Sequence, residues 1–131
     1  MLKMDSHIHS EYSSDSNSKI DDILKVAKQK NIDVIAISDH NTVDGVADFL
    51  AAGEGKPIRV IPGIEFSVDY DGTELHLLGL YLPSESLPGI SALMEDFIRR
   101  KEESSRALVE ALNKAGYEIS YEKILAATGS G

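Results

Sequence analysis

Apolar residues recur in two different rhythms along the first part of the chain. Ile20, Ile23, Leu24 and Ala27 are spaced i, i+3, i+4, i+7, which predicts an amphipathic helix over "KIDDILKVAKQK" (19–30). Ser18 is suited to cap it, and Asp21 and Asp22 in the first turn with Lys28 and Lys30 in the last match the helix dipole. "DVIAIS" (33–38) is instead an unbroken apolar run, the pattern of a parallel strand covered on both faces. A shorter strand is predicted ahead of the helix, over Leu2–His7, with a polar loop following it. Thr42 is placed to cap a second, short helix through "VDGVADFLAA", ended by the Gly53–Gly55 region. "IRVIPGIEFSV" (58–68) reads as a third strand in which Pro62 and Gly63 make a bulge or break. "DYDG" is a turn signal and "TELHLLGLYL" (73–82) a fourth strand, so a hairpin over 62–82 is added to a βαβαβ start.

After Pro83 the period changes to helical. Ile90, Leu93, Met94, Phe97 and Ile98 share one apolar face, "RRKEESSR" (99–106) interrupts it, and Leu108, Val109 and Leu112 resume it. Asn113 to Gly116 reads as a C-cap, "SYEKILAA" as a last short helix and "TGSG" as a flexible finish. The expected organisation is one domain with an α/β part (1–83) that carries the chemistry and a helical part (84–131).

Length and charge narrow the classes. At 131 residues the chain can bury a core, but a closed α/β barrel usually needs roughly 200 residues or more. A net charge of −9 argues against a surface that coats nucleic acid or membranes, and extended nucleic acid is not an expected partner. With no cysteine, any metal must be held by nitrogen and oxygen. The N-terminus lacks the apolar core of a signal peptide and no apolar run approaches membrane-spanning length, so a cytoplasmic protein is expected.

Against this background the four histidines stand out. His7 and His9 are two apart, so on a strand they project from one face, and Asp5 shares their parity and could orient one ring. Asp39 and His40 follow the buried strand at its carboxyl end, where parallel sheets bind ligands. Asp39 reads equally well as a cap for the next helix. Glu65 lies inside an apolar strand, where an unpaired carboxylate would cost several kcal/mol, so a paired or metal-bound state is expected. His76 sits among Leu75, Leu77 and Leu78 and alone would read as a core histidine. Each histidine falls on or just after a predicted strand and none on a helix surface. Together with Asp15 and Glu65 they form an N/O set suited to Zn²⁺, Mn²⁺ or Fe²⁺, large enough for more than one ion with a bridging carboxylate.

The ordered stretches "DSHIHSEYSSDS", "AISDHNTVDG", "VIPGIEFS" and "LHLLGLYL" resemble the first motifs of the PHP (polymerase and histidinol phosphatase) superfamily. The similarity is closest to its small metal-dependent phosphoesterases, a group that includes nucleoside bisphosphate phosphatases. "RALVEALNKAGYEISYEKIL" resembles the helical insert of those proteins, so the resemblance runs along essentially the whole chain. It implies the N-terminal strands and helical insert of a distorted (β/α)7 barrel, with metals at the strand carboxyl ends. Carried over by motif, it implies that His7 and His9 hold one ion, that Glu65 bridges two, that Asp15 and His40 serve a second, and that His76 serves a third. Asp39 and Glu65 are the residues expected to act in catalysis, with water activated on the metal attacking a small phosphorylated, nucleotide-like substrate.

Family members continue with a Gly-Arg-Pro-His-like segment and a late Asp-x-His motif that add ligands, whereas no histidine follows His76 here. Ser6 and Ser16 also replace the usual apolar residue and glycine beside the first motif. The chain is therefore expected to be truncated relative to the family and to hold one or two of three ions well. It is expected either to dimerise over an open barrel edge or to be a fragment of a longer product. The competing expectation is a metal-binding or regulatory module without catalysis.

Overall fold

A computed structural model describes residues 1–128. The element order is β1 (Met4–Ile8), α1 (Ile20–Gln29), β2 (Val34–Ile37), α2 (Val46–Gly53), β3 (Arg59–Ile61), β4 (Gly63–Tyr70), β5 (Thr73–Leu80), a short 3-10 turn (Ser84–Ser86), α3 (Leu87–Lys114) and α4 (Tyr121–Thr128). Strands β1, β2 and β3 form a parallel sheet in the order β1-β2-β3, the right result for two βαβ crossovers. β4 and β5 make a separate antiparallel hairpin, in register from Gly63 opposite Leu80 to Tyr70 opposite Thr73.

The core of the first compact unit, Met1–Ser91, is where the sequence pattern puts it. All four residues of the α1 stripe, Ile20, Ile23, Leu24 and Ala27, are buried, as are Ile35, Ala36 and Ile37 of the central strand β2. Val46 and Phe49 of α2 add to it. α1 ends on Asn31 in the left-handed region (φ 53°), and the Ile32 N–H donates to the Ala27 carbonyl at 2.9 Å. This is the usual way to satisfy carbonyls at a helix end.

Two capping expectations are corrected. The residue flanking α1 is Lys19, with no side-chain cap, because the Ser18 N–H donates to Ser16 Oγ and its carbonyl receives the Glu11 N–H. α2 starts at Val46 behind Gly45, and Thr42 instead accepts the Asp44 N–H in a turn before the helix.

The predicted 58–68 strand is broken at Pro62. Its first half, β3, pairs with β2, while Glu65 in β4 makes a parallel bridge with His40 just past the end of β2. The Glu65 N–H donates to the Asp39 carbonyl (3.1 Å) and the Asn41 N–H to the Glu65 carbonyl (2.9 Å). The approach at the break needs glycine. A Cβ on Gly63 would lie 2.6 Å from the Ile37 carbonyl oxygen and 2.9 Å from that of Gly79. Asp71 and Gly72 close the hairpin at φ 52° and 74°, the two positive values of a type I′ turn.

The second unit begins at Ala92, within α3. The charged stretch does not interrupt the helix. It is bridged along its own surface by Arg99 with Asp96 and Glu103, Arg100 with Asp96, and Arg106 with Glu102. Gly116 (φ 96°) closes α3, with Tyr117 and Gly116 N–H groups donating to the Leu112 and Asn113 carbonyls. Of the apolar face, Met94 is buried and Ile90 and Phe97 half-buried, while Leu93, Ile98 and Leu108 are exposed. α4 packs its Tyr121 ring 4.1 Å beneath the Arg106 guanidinium. The "TGSG" finish lies beyond the described residues except for Thr128, whose backbone ends α4. Among the described residues no helix is long and apolar enough to cross a membrane.

Candidate metal centre

The four imidazoles come from three separate places in the sequence and meet at the carboxyl ends of β1 and β2 and on the hairpin. Their ring centroids follow one another at 5.0 Å (His7–His9), 4.6 Å (His9–His40) and 4.8 Å (His40–His76). Parallel pairing of β1 with β2 sets His9 beside the 38–40 segment. The bridge between His40 and Glu65 then brings the start of β4 alongside. His76 enters from β5, where it stands opposite Ser67. Residues 65 and 67 share a face of β4, so His76 is a diagonal neighbour of Glu65 on that face.

Glu65 is the hub. Its carboxylate is almost wholly buried, and Oε2 lies 2.9 Å from His7 Nε2, 2.9 Å from His9 Nε2 and 3.4 Å from His40 Nε2. Its other oxygen, Oε1, is 3.0 Å from His76 Nδ1. Burial works to raise the Glu65 pKa, but the His7 hydrogen bond and the charges of His40, His7 and His9 outweigh it, and the net shift is downward. The carboxylate is thus held ionised, which meets the expectation that this buried Glu must be paired.

His7 Nε2 and His9 Nε2 are themselves 3.0 Å apart. Three lone-pair atoms this close repel unless a positive charge, a proton or a cation, lies among them. Donors about 2.1 Å from one ion and at right angles to each other would be about 3.0 Å apart. The His7–His9–Glu65 group therefore fits a divalent cation. Two further groups share its members, His9 with Asp15 and His40, and His40 with Glu65 and His76.

Asp15 stands with His9 and His40, the group expected to serve a second ion. Its oxygens are 3.0 and 2.9 Å from His9 Nδ1 and 3.6 Å from His40 Nε2. Burial pushes its pKa up, but hydrogen bonds from Ser13 and His9 with the charges of His9 and His40 bring it below the ordinary value. An ionised carboxylate only accepts, so His9 must donate from Nδ1, which leaves Nε2 directed to His7 and Glu65.

Two expectations for acidic residues change. Asp5 orients no ring: it accepts the His7 backbone N–H at 3.3 Å, and with Ile8 it lines a cleft against α1. The reason is a register slip between Asp5 and Ile8, which breaks the alternation that would have kept Asp5 with the histidines. Asp39 does not cap α2. It is buried and takes two hydrogen bonds from Ser10, from the backbone N–H at 2.5 Å and the hydroxyl at 2.7 Å. Burial raises its pKa against the pull of those bonds.

The residues that sequence reasoning passed over are the small polar ones. Ser10 ties the end of β1 to the end of β2 through Asp39. Ser13, also buried, accepts the His40 backbone N–H at 3.1 Å and donates to Asp15 Oδ1 at 2.6 Å. Asn41, in the left-handed region, exchanges two hydrogen bonds with Ser67 (3.0 and 2.8 Å) and so anchors the hairpin. The one available signal was the density of serines between His9 and Lys19, which reads equally as an ordinary polar loop.

The sequence model of the PHP domain matches residues 5–126. The chain belongs to the PHP domain family. This PHP domain is 32% identical over 123 residues to a phosphoribosyl 1,2-cyclic phosphate 1,2-diphosphodiesterase of Eggerthella lenta, covering 92% of the chain and 46% of that protein. It is 28% identical to a 5'-3' exoribonuclease of Haemophilus influenzae (92% and 43%) and 27% identical to a 3',5'-nucleoside bisphosphate phosphatase of Chromobacterium violaceum (88% and 40%). A crystal structure from Bifidobacterium adolescentis, provisionally described as a metal-dependent phosphoesterase, superposes with a TM-score of 0.74 at 23% identity. The match covers 99% of this chain and 44% of that one, and it shows the shared fold. The PHP domain described here thus spans less than half the length of the relatives it matches.

Proposed function

We propose that this chain carries the metal-binding portion of a phosphoesterase site, for hydrolysis of a small phosphorylated, nucleotide-like substrate by metal-activated water. One observation carries the reading: His7 Nε2, His9 Nε2 and Glu65 Oε2 lie 2.9–3.0 Å from one another. A divalent cation there, Mn²⁺, Zn²⁺ or Fe²⁺, supplies Lewis acidity toward a phosphoryl oxygen and an acidified water. The protein's part is to place charge. Glu65 is anchored by its backbone to Asp39 and Asn41 and presents one oxygen to each side of the cluster, as a bridging ligand must. Asp39 contributes by position, holding Ser10 and through it the loop after His9. His40 and His76 with Glu65 Oε1 offer a second place. His9, committed through Nδ1 to Asp15, is not free to serve two ions, so one or two per chain are expected, not three.

Support for the substrate class comes from relatives named for esters of small phosphorylated sugars and nucleosides. The test is hydrolysis of p-nitrophenyl phosphate and of a nucleoside bisphosphate with added Mn²⁺ or Zn²⁺. Turnover that disappears in Glu65→Gln supports the proposal.

A second reading, a metal-binding module without catalysis, is favoured by the composition of the cluster. Among the described residues its ion pairs are all between histidine and carboxylate, with no arginine or lysine to grip phosphate. Metal binding without hydrolysis of either substrate would select it.

A further inference from the structure

We propose that Ser13 is the positioning residue of the centre, fixing through Asp15 which nitrogen of His9 faces the metal position. The inference deepens the metal reading and rests on it for one of its two readouts. Ser13 is buried in the loop after β1, and its hydroxyl joins the His40 backbone to the Asp15 carboxylate. On one side it accepts the backbone N–H of His40, 3.1 Å away. That donor cannot be reversed, so the hydroxyl proton is free to point elsewhere. It points at Asp15 Oδ1, 2.6 Å away, and a carboxylate can only receive it.

The carboxylate plane is then turned so that both oxygens straddle His9 Nδ1, at 3.0 and 2.9 Å. Asp15 is half exposed, and a side chain so placed has other rotamers open to it. The Ser13 hydroxyl removes that freedom. Its own place is fixed by the turn it closes, since the Ser13 N–H donates to the Ser10 carbonyl at 2.9 Å, and Ser10 is held by Asp39. The chain of donors therefore runs in one direction, from the His40 backbone through Ser13 to Asp15. His9 adds a second donor to the same carboxylate. The movement of one hydroxyl couples the β2 end, which carries His40, to the β1 end, which carries His9.

The experiment is ring ¹⁵N–¹H NMR of the histidines in the metal-free chain, paired with calorimetric titration of Zn²⁺ alone, for wild type, Ser13→Ala, Ser13→Thr and Asp15→Asn. Wild type should show a His9 Nδ1–H resonance protected from solvent exchange, which Asp15→Asn moves. Ser13→Ala should lose that protection and leave His7 and His76 unmoved. Its Zn²⁺ affinity should fall about 10- to 100-fold, the usual effect of removing a partner behind a ligand. Ser13→Thr, which keeps the hydroxyl, should restore both. A wild-type His9 resonance and affinity in Ser13→Ala overturns the proposal. So does an equal disturbance of all four histidines with no rescue by threonine, which would make Ser13 a packing residue only. If wild type binds no Zn²⁺ yet the His9 resonance still responds to Ser13→Ala, the metal reading fails and the positioning role stands. If Ser13→Ala does not fold, Ser13→Cys decides, because a thiol is a weak donor and acceptor. An unchanged His9 resonance in it overturns the proposal.

Discussion

Glu65 shows how a single residue can make a site legible. A carboxylate in an apolar strand demands a partner, and the structure supplies four imidazoles. Its lowered pKa has a consequence for stability. A depressed folded pKa contributes stability above the unfolded value, and that contribution is lost as pH falls through the folded one. In the metal-free chain, denaturant unfolding should therefore show stability dropping as pH falls below the ordinary glutamate range, and Glu65→Gln should flatten that drop. An identical pH profile in the variant would contradict the pairing. His7, His9, His40 and His76 could be found because histidine is rare and chemically loaded. Ser10 and Ser13 could not, because a loop serine can be satisfied by water as readily as by Asp39 or Asp15. Asp5 was misplaced for a different reason: the bulge in β1 leaves no trace in the hydrophobic pattern.

At the scale of elements, periodicity was a reliable guide wherever one face had to be buried. The α1 stripe and the β2 run are both buried as read, and the hairpin turn lies on the expected Asp-Gly pair. What the pattern left open was whether Pro62 bulges one strand or divides two. The answer depends on β4 crossing from the β3 line to the end of β2, a tertiary fact set by the approach at Gly63. Gly63→Ala should cost on the order of 1–3 kcal/mol, because the neighbours it strikes are backbone oxygens that cannot rotate away. Denaturant titration checks this, and unchanged stability would mean the break is not held there. Ser18 and Thr42 do not cap their helices because several polar residues compete at each helix start, and local serine and threonine turns win. In α3 the charged stretch broke the apolar stripe but not the helix, since its ion pairs are spaced for a helix surface. Arg99→Ala should accordingly leave the melting temperature and helix content unchanged by circular dichroism.

The molecule as a whole carries a net charge of −9, and the centre joins four imidazoles to the carboxylates of Asp15 and Glu65. A divalent cation is the natural counterweight. The family was legible from the order of four motifs. The expected number of ions, one or two, rests on ligands that the candidate groups share, since His9, His40 and Glu65 each belong to two of them. Metal analysis after equilibration with Mn²⁺ or Zn²⁺ should give one or two ions per chain. Three would show that Asp15 leaves His9 when metal binds.

The central claim is that His7, His9 and Glu65 converge to hold a divalent cation, and calorimetric titration of the metal-free chain with Zn²⁺ tests it most directly. Wild type should bind at least one equivalent, and His9→Ala and Glu65→Gln should lose that site while keeping wild-type circular dichroism. A wild-type chain that binds none, or variants that bind as wild type does, would contradict it.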